Sequence, residues 1–205
     1  MPSSPLSEED LDATRARLLA ATAKLVAESG YAAFSMRQLA REVGLTAGAL
    51  YRYFPTKHAL LVAYWSESIG VLHAELSQIA GEVADPRERL LRMARAYTRF
   101  ALQDRPRFRT MFLESDHGEL GEFGRSETLL APYNVIRSQM EAAIEAGALK
   151  PMPPDIAAQI LWASVHGVLT LAANVEPMDF GDVAHLADLA AQTTLAGRAK
   201  RGNSE

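Results

Sequence analysis

Apolar residues recur along this chain at spacings of three and four, and the stretches between breaks are dominated by Ala, Leu, Arg and Glu, so the pattern predicts helices and gives little sign of strands. About nine helices follow. The first runs from about Glu8 to Ser29, with Leu11, Leu18, Thr22 and Leu25 on one stripe and Gly30 as its stop. Ser35, with Gln38 three residues on, forms a capping box for a short helix that Gly44 ends. Thr46 caps a second short helix, Ala47–Phe54, and Pro55-Thr56 breaks the chain before a long helix from Lys57 towards Glu82. Asp85-Pro86-Arg87-Glu88 reads as cap, first-turn proline and third-position acid, opening a helix to about Gln103. Pro106 starts a short aromatic helix. Gly118–Gly124 reads as a mobile polar loop, and Ser126–Ala146 as a helix stopped by Gly147. Beyond the Pro151–Pro154 punctuation, two helices remain, about Asp155–Val175 and Phe180–Gly197.

This is an all-α chain with an N-terminal three-helix unit and a C-terminal helical bundle. The expected divisions are a disordered tail over residues 1–7, a helix-turn-helix unit over 8–56, a larger helical domain over 57–197, and a second disordered tail over 198–205. At 205 residues and 48% hydrophobic, the chain is large enough to bury two cores. With no Cys, thiolate metal sites, disulfides and cysteine nucleophiles are excluded, and neither a metal nor a cofactor is expected. Met1–Ser7 lacks the basic and apolar segments of an export signal, and no apolar run reads as a membrane span, so a cytoplasmic protein is expected.

The net charge of −4 is unevenly distributed. Between Ala13 and Lys57 stand Arg15, Arg17, Lys24, Arg37, Arg41, Arg52 and Lys57 against only Glu28 and Glu42. A local basic face is sufficient for DNA, because charges more than about 8–10 Å away are screened at physiological salt.

That basic segment also carries the spacing of a helix-turn-helix. Ala40 is small where two helices would cross, Gly44 permits a tight turn, and Leu39, Val43, Leu45 and Leu50 supply the contacts that fix the crossing. Thr46, Ala47, Gly48 and Ala49 then fall at the end of the second helix that enters a major groove. Thr46 can reach a base or phosphate, Ala47 and Ala49 can touch thymine methyls, and Gly48 lets the backbones approach.

Gly30-Tyr31, Ser35-Met36-Arg37-Gln38-Leu39-Ala40, Gly44-Leu45-Thr46, Leu50-Tyr51-Arg52-Tyr53-Phe54 and Lys57-His58-Ala59-Leu60-Leu61 resemble the DNA-binding domain of TetR-family regulators. The resemblance implies an all-helical homodimer that usually represses and leaves its double-stranded operator when a small molecule enters the C-terminal domain. It further implies that Tyr51, Tyr53 and Lys57 clamp phosphates, that Arg37 contacts backbone or a base edge, and that Arg52 is a DNA contact. Arg105-Pro106-Arg107-Phe108, Ala146-Gly147-Ala148-Leu149 and Trp162-Ala163-Ser164-Val165-His166-Gly167 resemble a subgroup with a Trp-x-x-x-His-Gly element.

Candidate ligand-binding residues are Met93, Tyr97, Phe112, Met140, Trp162 and His166. Trp162 and His166 share one helix face, which suits an apolar cavity with a few polar points for a lipophilic or aromatic effector. An ordinary core uses the same residue types, and His166 also fits a hydrogen-bonded core histidine. The opposite face presents Ile160, Ser164, Gly167, Val168 and Leu171, and the last helix presents Leu186, Ala190, Thr193 and Thr194. These surfaces would pair two protomers as a four-helix bundle. Alternatives are an activator or a ligand-independent regulator of the same fold. More remote is an enzyme using His166 with Glu141 or Asp155, which lacks a nucleophile, metal cluster or cofactor loop to accompany it.

Overall fold

The computed structural model describes residues 7–113, 126–175 and 177–197. Among them are nine helices: α1 (Glu8–Ala33), α2 (Met36–Val43), α3 (Ala47–Tyr53), α4 (Lys57–Glu82), α5 (Pro86–Gln103), α6 (Arg105–Phe112), α7 (Glu127–Glu145), α8 (Pro154–Asn174) and α9 (Val183–Ala196). The expected loop at Gly118–Gly124 and the tail 198–205 lie outside the described residues, as do residues 1–6.

Side-chain caps set most of these boundaries. Ser35, Thr46, Thr56 and Asp85 each accept a bond from the backbone N–H three residues on, and Ser35 and Gln38 complete their capping box. Ser7, expected to end the N-terminal tail, instead caps α1 in a box with Asp10. Gly30 takes φ 75° and ψ 168°, a conformation open essentially to glycine, and interrupts α1 where a stop was expected. The last helix begins later than expected. Gly181 has positive φ, its N–H bonds Asp179, and Asp182 caps the N–H of His185, so helical structure starts at Val183.

Two apolar cores form. The N-terminal head gathers Leu18, Val26, Phe34, Leu39, Leu50 and Phe54 with Leu60, Leu61, Tyr64, Trp65 and Ile69 of α4. The C-terminal body gathers Leu72 and Leu76 of the same helix with Leu90, Met93, Met140, Leu161, Val165 and Ala191. The seam between head and body therefore falls inside α4, between Ile69 and Leu72. Leu11 is 41% exposed and the residues from Ser7 to Ala13 are all exposed, so the expected apolar stripe of α1 begins only at Leu18.

Helix α8 is 21 residues long, with an 18-residue window of mean hydropathy 1.6, long and apolar enough by length and composition to cross a membrane, although Asp155, Gln159 and His166 interrupt it. It packs on α5, α7 and α9, burying Ala157, Ala158, Leu161, Val165 and Leu169 in the body core while Ile156, Ile160 and Leu171 stay exposed.

Candidate nucleic-acid interface and interior cavity

The reading head is built on three buried anchors. Leu39 and Leu50 are fully buried and Phe54 nearly so, each worth about 1.5–3 kcal/mol, more than the roughly 1 kcal/mol of a helix cap. Between α2 and α3, Gly44 adopts φ 72° and ψ 29°, and the Leu45 N–H closes the turn on the Ala40 carbonyl at 2.8 Å. Helix α1 holds this turn from behind. Arg17 donates to the Val43 carbonyl (3.1 Å), and Lys24 pairs with Glu42 (2.6 Å), cancelling one of the two acids in the basic segment.

With Leu50 turned inward, Thr46, Ala47, Gly48, Tyr51 and Arg52 are exposed, and Ala49 and Tyr53 half-exposed. Open space surrounds the position a Gly48 Cβ would take, so no packing requires glycine there. Arg37 is exposed on α2. Arg41, which sequence reasoning left out of the candidate set, is exposed in the last turn of that helix. Lys57 is half-buried, with its ammonium 5.1 Å from the centre of the Phe34 ring. The nine candidate DNA contacts thus lie on α2, on α3 with its cap Thr46, and on the first residue of α4.

The body encloses a cavity of about 150 Å³ walled by α4, α5, α6, α7 and α8. Of the six candidate ligand residues, Tyr97, Phe112 and Trp162 line it. Met93 and Met140 do not. Both are fully buried in the body core, where a flexible thioether fills interhelical gaps. His166 stands behind the wall, its Nδ1 2.7 Å from the Tyr97 hydroxyl, with the rings of Phe108, Phe112 and Trp162 centred 5.1–5.6 Å away. Burial holds this imidazole below its ordinary pKa, and burial likewise pushes the Tyr97 phenol up, the Trp162 N–H opposing, so both are neutral near pH 7.

Sequence reasoning missed Ile69, Leu72 and Leu76 of α4 and Leu129, Leu130, Pro132 and Ile136 of α7 in this wall. Aliphatic residues carry no signal separating cavity from core. Pro132 was a discernible exception: inside α7 it removes an N–H and frees the Thr128 carbonyl from its helical bond.

The enzyme alternative finds no support in the geometry, because Glu141 and Asp155 are both bound by Arg137 and His166 faces Tyr97.

Helix α6 links cavity and head. Phe112 lines the cavity and packs against both cores, while the adjacent Met111 is buried in the head core. Across the same junction the Trp65 indole N–H donates to Thr110 (3.4 Å). The Tyr64 hydroxyl donates to Asp104 (3.2 Å), and the Arg107 guanidinium lies 4.4 Å from the Tyr64 ring centre. Burial pushes the Tyr64 phenol up to about 12.

A glycine-turned pair of short helices on an all-α body with an apolar cavity defines a helix-turn-helix regulator. Residues 18–64 match the model of the bacterial regulatory proteins of the tetR family, and residues 90–194 match that of the tetracyclin repressor-like C-terminal domain. The chain belongs to the TetR family.

The HTH-type transcriptional repressor KstR of Mycobacterium tuberculosis is 36% identical over 87 residues, 42% of this chain and 40% of the relative, so the match spans less than half of that protein. SmeT, the repressor of the Stenotrophomonas maltophilia multidrug efflux pump SmeDEF, has 27% identity and a TM-score of 0.72, covering 94% of this chain and 93% of its own. The transcriptional regulator FadR from Bacillus subtilis, solved in complex with stearoyl-CoA, shares the fold at 19% identity and a TM-score of 0.77, covering 89% and 98%.

Proposed function

We propose that the protein is a cytoplasmic homodimeric repressor that binds a near-palindromic double-stranded operator and is released by a small lipophilic or aromatic effector. The observation that carries this reading is the exposed face of α3, where Thr46, Ala47, Gly48, Tyr51 and Arg52 project from a helix anchored by fully buried Leu50, in a chain of the TetR family. KstR and SmeT being named repressors supports the regulatory sign, and FadR being solved with stearoyl-CoA supports a body that takes an apolar ligand.

In this reading Arg37, Tyr51, Tyr53 and Lys57 hold the phosphate backbone, and the start of α3 enters the major groove with Thr46, Ala47, Gly48 and Ala49. Arg52 is the one long base reader. Few side chains here can discriminate bases directly, so part of the specificity comes from DNA shape. Pairing of α8 and α9 with their two-fold mates through Ile160, Ser164, Gly167, Val168, Leu171, Leu186, Ala190, Thr193 and Thr194 sets the distance between heads. Ile160 and Leu171 are 42% and 51% exposed, as are Ile156 (47%) and Leu189 (42%), which extend the same face. Val168 is half-buried against the body core and contributes less.

The effector acts by differential affinity. It must bind the head spacing that misses the operator more tightly, by a few kcal/mol, and α4 and α6 carry the difference from the cavity wall to the head. Arg52→Ala tests the DNA contact. Measured by fluorescence anisotropy on operator and scrambled duplexes, a base-reading arginine gives a loss of about 1–3 kcal/mol on the operator alone. An equal loss on both assigns Arg52 to phosphate, and no loss on either removes it from the interface.

A further inference from the structure

The cavity is apolar apart from one corner. The Tyr133 hydroxyl, on its wall, is turned to the Asp155 carbonyl at 3.3 Å. That leaves the corner where the Tyr97 hydroxyl meets His166 Nδ1, beside the Trp162 indole N–H. Among the described residues, no Lys, Arg, Asp or Glu lines the cavity. Arg109 on α6, next to Phe108 and three residues from Phe112, donates to the Ala173 carbonyl of α8 at 3.0 Å. A carboxylate or phosphate entering this space would lose its hydration and meet no counter-charge among the described lining residues.

The phenol–imidazole pair is ambivalent. When the hydroxyl donates to Nδ1, its oxygen keeps a lone pair for an incoming donor. In the other tautomer Nδ1–H donates and the phenolic O–H is released towards an incoming acceptor. A hydroxyl group, both donor and acceptor, satisfies either state. The wall beside the corner is aromatic: Tyr97, Phe112, Tyr133 and Trp162 offer faces and edges to a planar ring. A volume of about 150 Å³ matches an apolar cavity of the size that accepts benzene. Leu130 and Trp162, 43% and 38% exposed, are the lining residues that reach solvent.

We propose that this cavity takes an uncharged, single-ring phenol whose hydroxyl bonds the Tyr97–His166 pair, and that it rejects the corresponding carboxylates. This assignment rests on reading the cavity as the effector site. Burial of the neutral imidazole and of the protonated phenol agrees with a corner that holds no charge at pH 7.

Calorimetric titration of the full-length protein with toluene, 4-methylphenol and 4-methylbenzoate, on wild type and Tyr97→Phe, tests it. The expected result is 4-methylphenol binding roughly fivefold or more above toluene, the worth of one net hydrogen bond, and no binding of 4-methylbenzoate. Tyr97→Phe is expected to lose the preference for the phenol over toluene, with circular dichroism reporting that its fold is intact. Binding of 4-methylbenzoate as tight as that of 4-methylphenol, or a phenol preference that survives in Tyr97→Phe, overturns the hydroxyl corner while leaving the cavity as a binding site. Failure of all three compounds to bind the wild type, with no shift of its melting temperature, overturns the cavity reading itself.

Discussion

Gly48 lies in the first turn of α3 with nothing within 4 Å of where a Cβ would project. A glycine kept for packing would be crowded, and one kept for helix stability is the wrong residue, since alanine is better there by up to about 1 kcal/mol. Gly48→Ala is therefore expected to raise the denaturation midpoint slightly while weakening operator affinity about tenfold, because the added methyl stands between two backbones. Urea melts and anisotropy titrations on the same sample check both; unchanged operator affinity would detach Gly48 from the interface.

His166 makes a second residue-scale prediction. Its folded pKa lies below the ordinary 6.5, so the unfolded chain takes a proton that the buried imidazole refuses. Stability is full above pH 6.5 and declines as pH falls from 6.5 through the folded value. The Arg95-paired Asp188, held below its ordinary 3.8, adds a separate loss only at stronger acid. His166→Gln should flatten the fall in unfolding free energy between pH 7.5 and 5.5, and an unchanged slope would mean that the imidazole is not buried neutral. What the sequence could not separate at this scale was cavity from core. Met93 and Met140 were expected in the pocket and are fully buried away from its wall, while Leu72, Leu76 and Ile136, which the sequence did not single out, are buried in the body core and also line the cavity. Apolar character is the same in both, and only the three-dimensional gap distinguishes them.

Helix boundaries were legible because they are local chemistry. Ser35 with Gln38, Thr46, Thr56, Asp85 with Pro86, and the glycines at 30, 44 and 147 each act within four residues of chain. The allegiance of α6 was not legible, since its eight residues serve two cores: Phe108 packs in the body, Met111 in the head, and Phe112 against both. No periodicity records which neighbour a short helix will find. This placement makes Met111 part of the head although it follows α4 by almost thirty residues. Met111→Ala is expected to cost about 2–5 kcal/mol in urea unfolding and to lower hydrogen-exchange protection in α1 and the first half of α4. A loss of protection confined to α5, α7 and α8 would contradict a head-bound α6.

For the whole molecule, α8 is the decisive surface. One side is core and the other leaves Ile156, Ile160 and Leu171 in solvent, continued on α9 by Leu189. The sequence indicated this face through Ile160 and Leu171 but not the contribution of Leu189, because α9 is apolar on more than one side. Leu171→Glu should convert the protein to a monomer at micromolar concentration in sedimentation and cost most of the operator affinity, since one head alone makes half the contacts. A variant that stays dimeric would move the interface elsewhere.

The central claim is a dimeric reading head, and selection of binding sites from a random duplex library by the wild-type protein tests it most directly. The account predicts enrichment of a near-palindrome whose half-sites lie about one helical turn or a multiple of it apart, bound by two protomers at physiological salt. Equal retention of all duplexes, with no enriched palindrome, would contradict it.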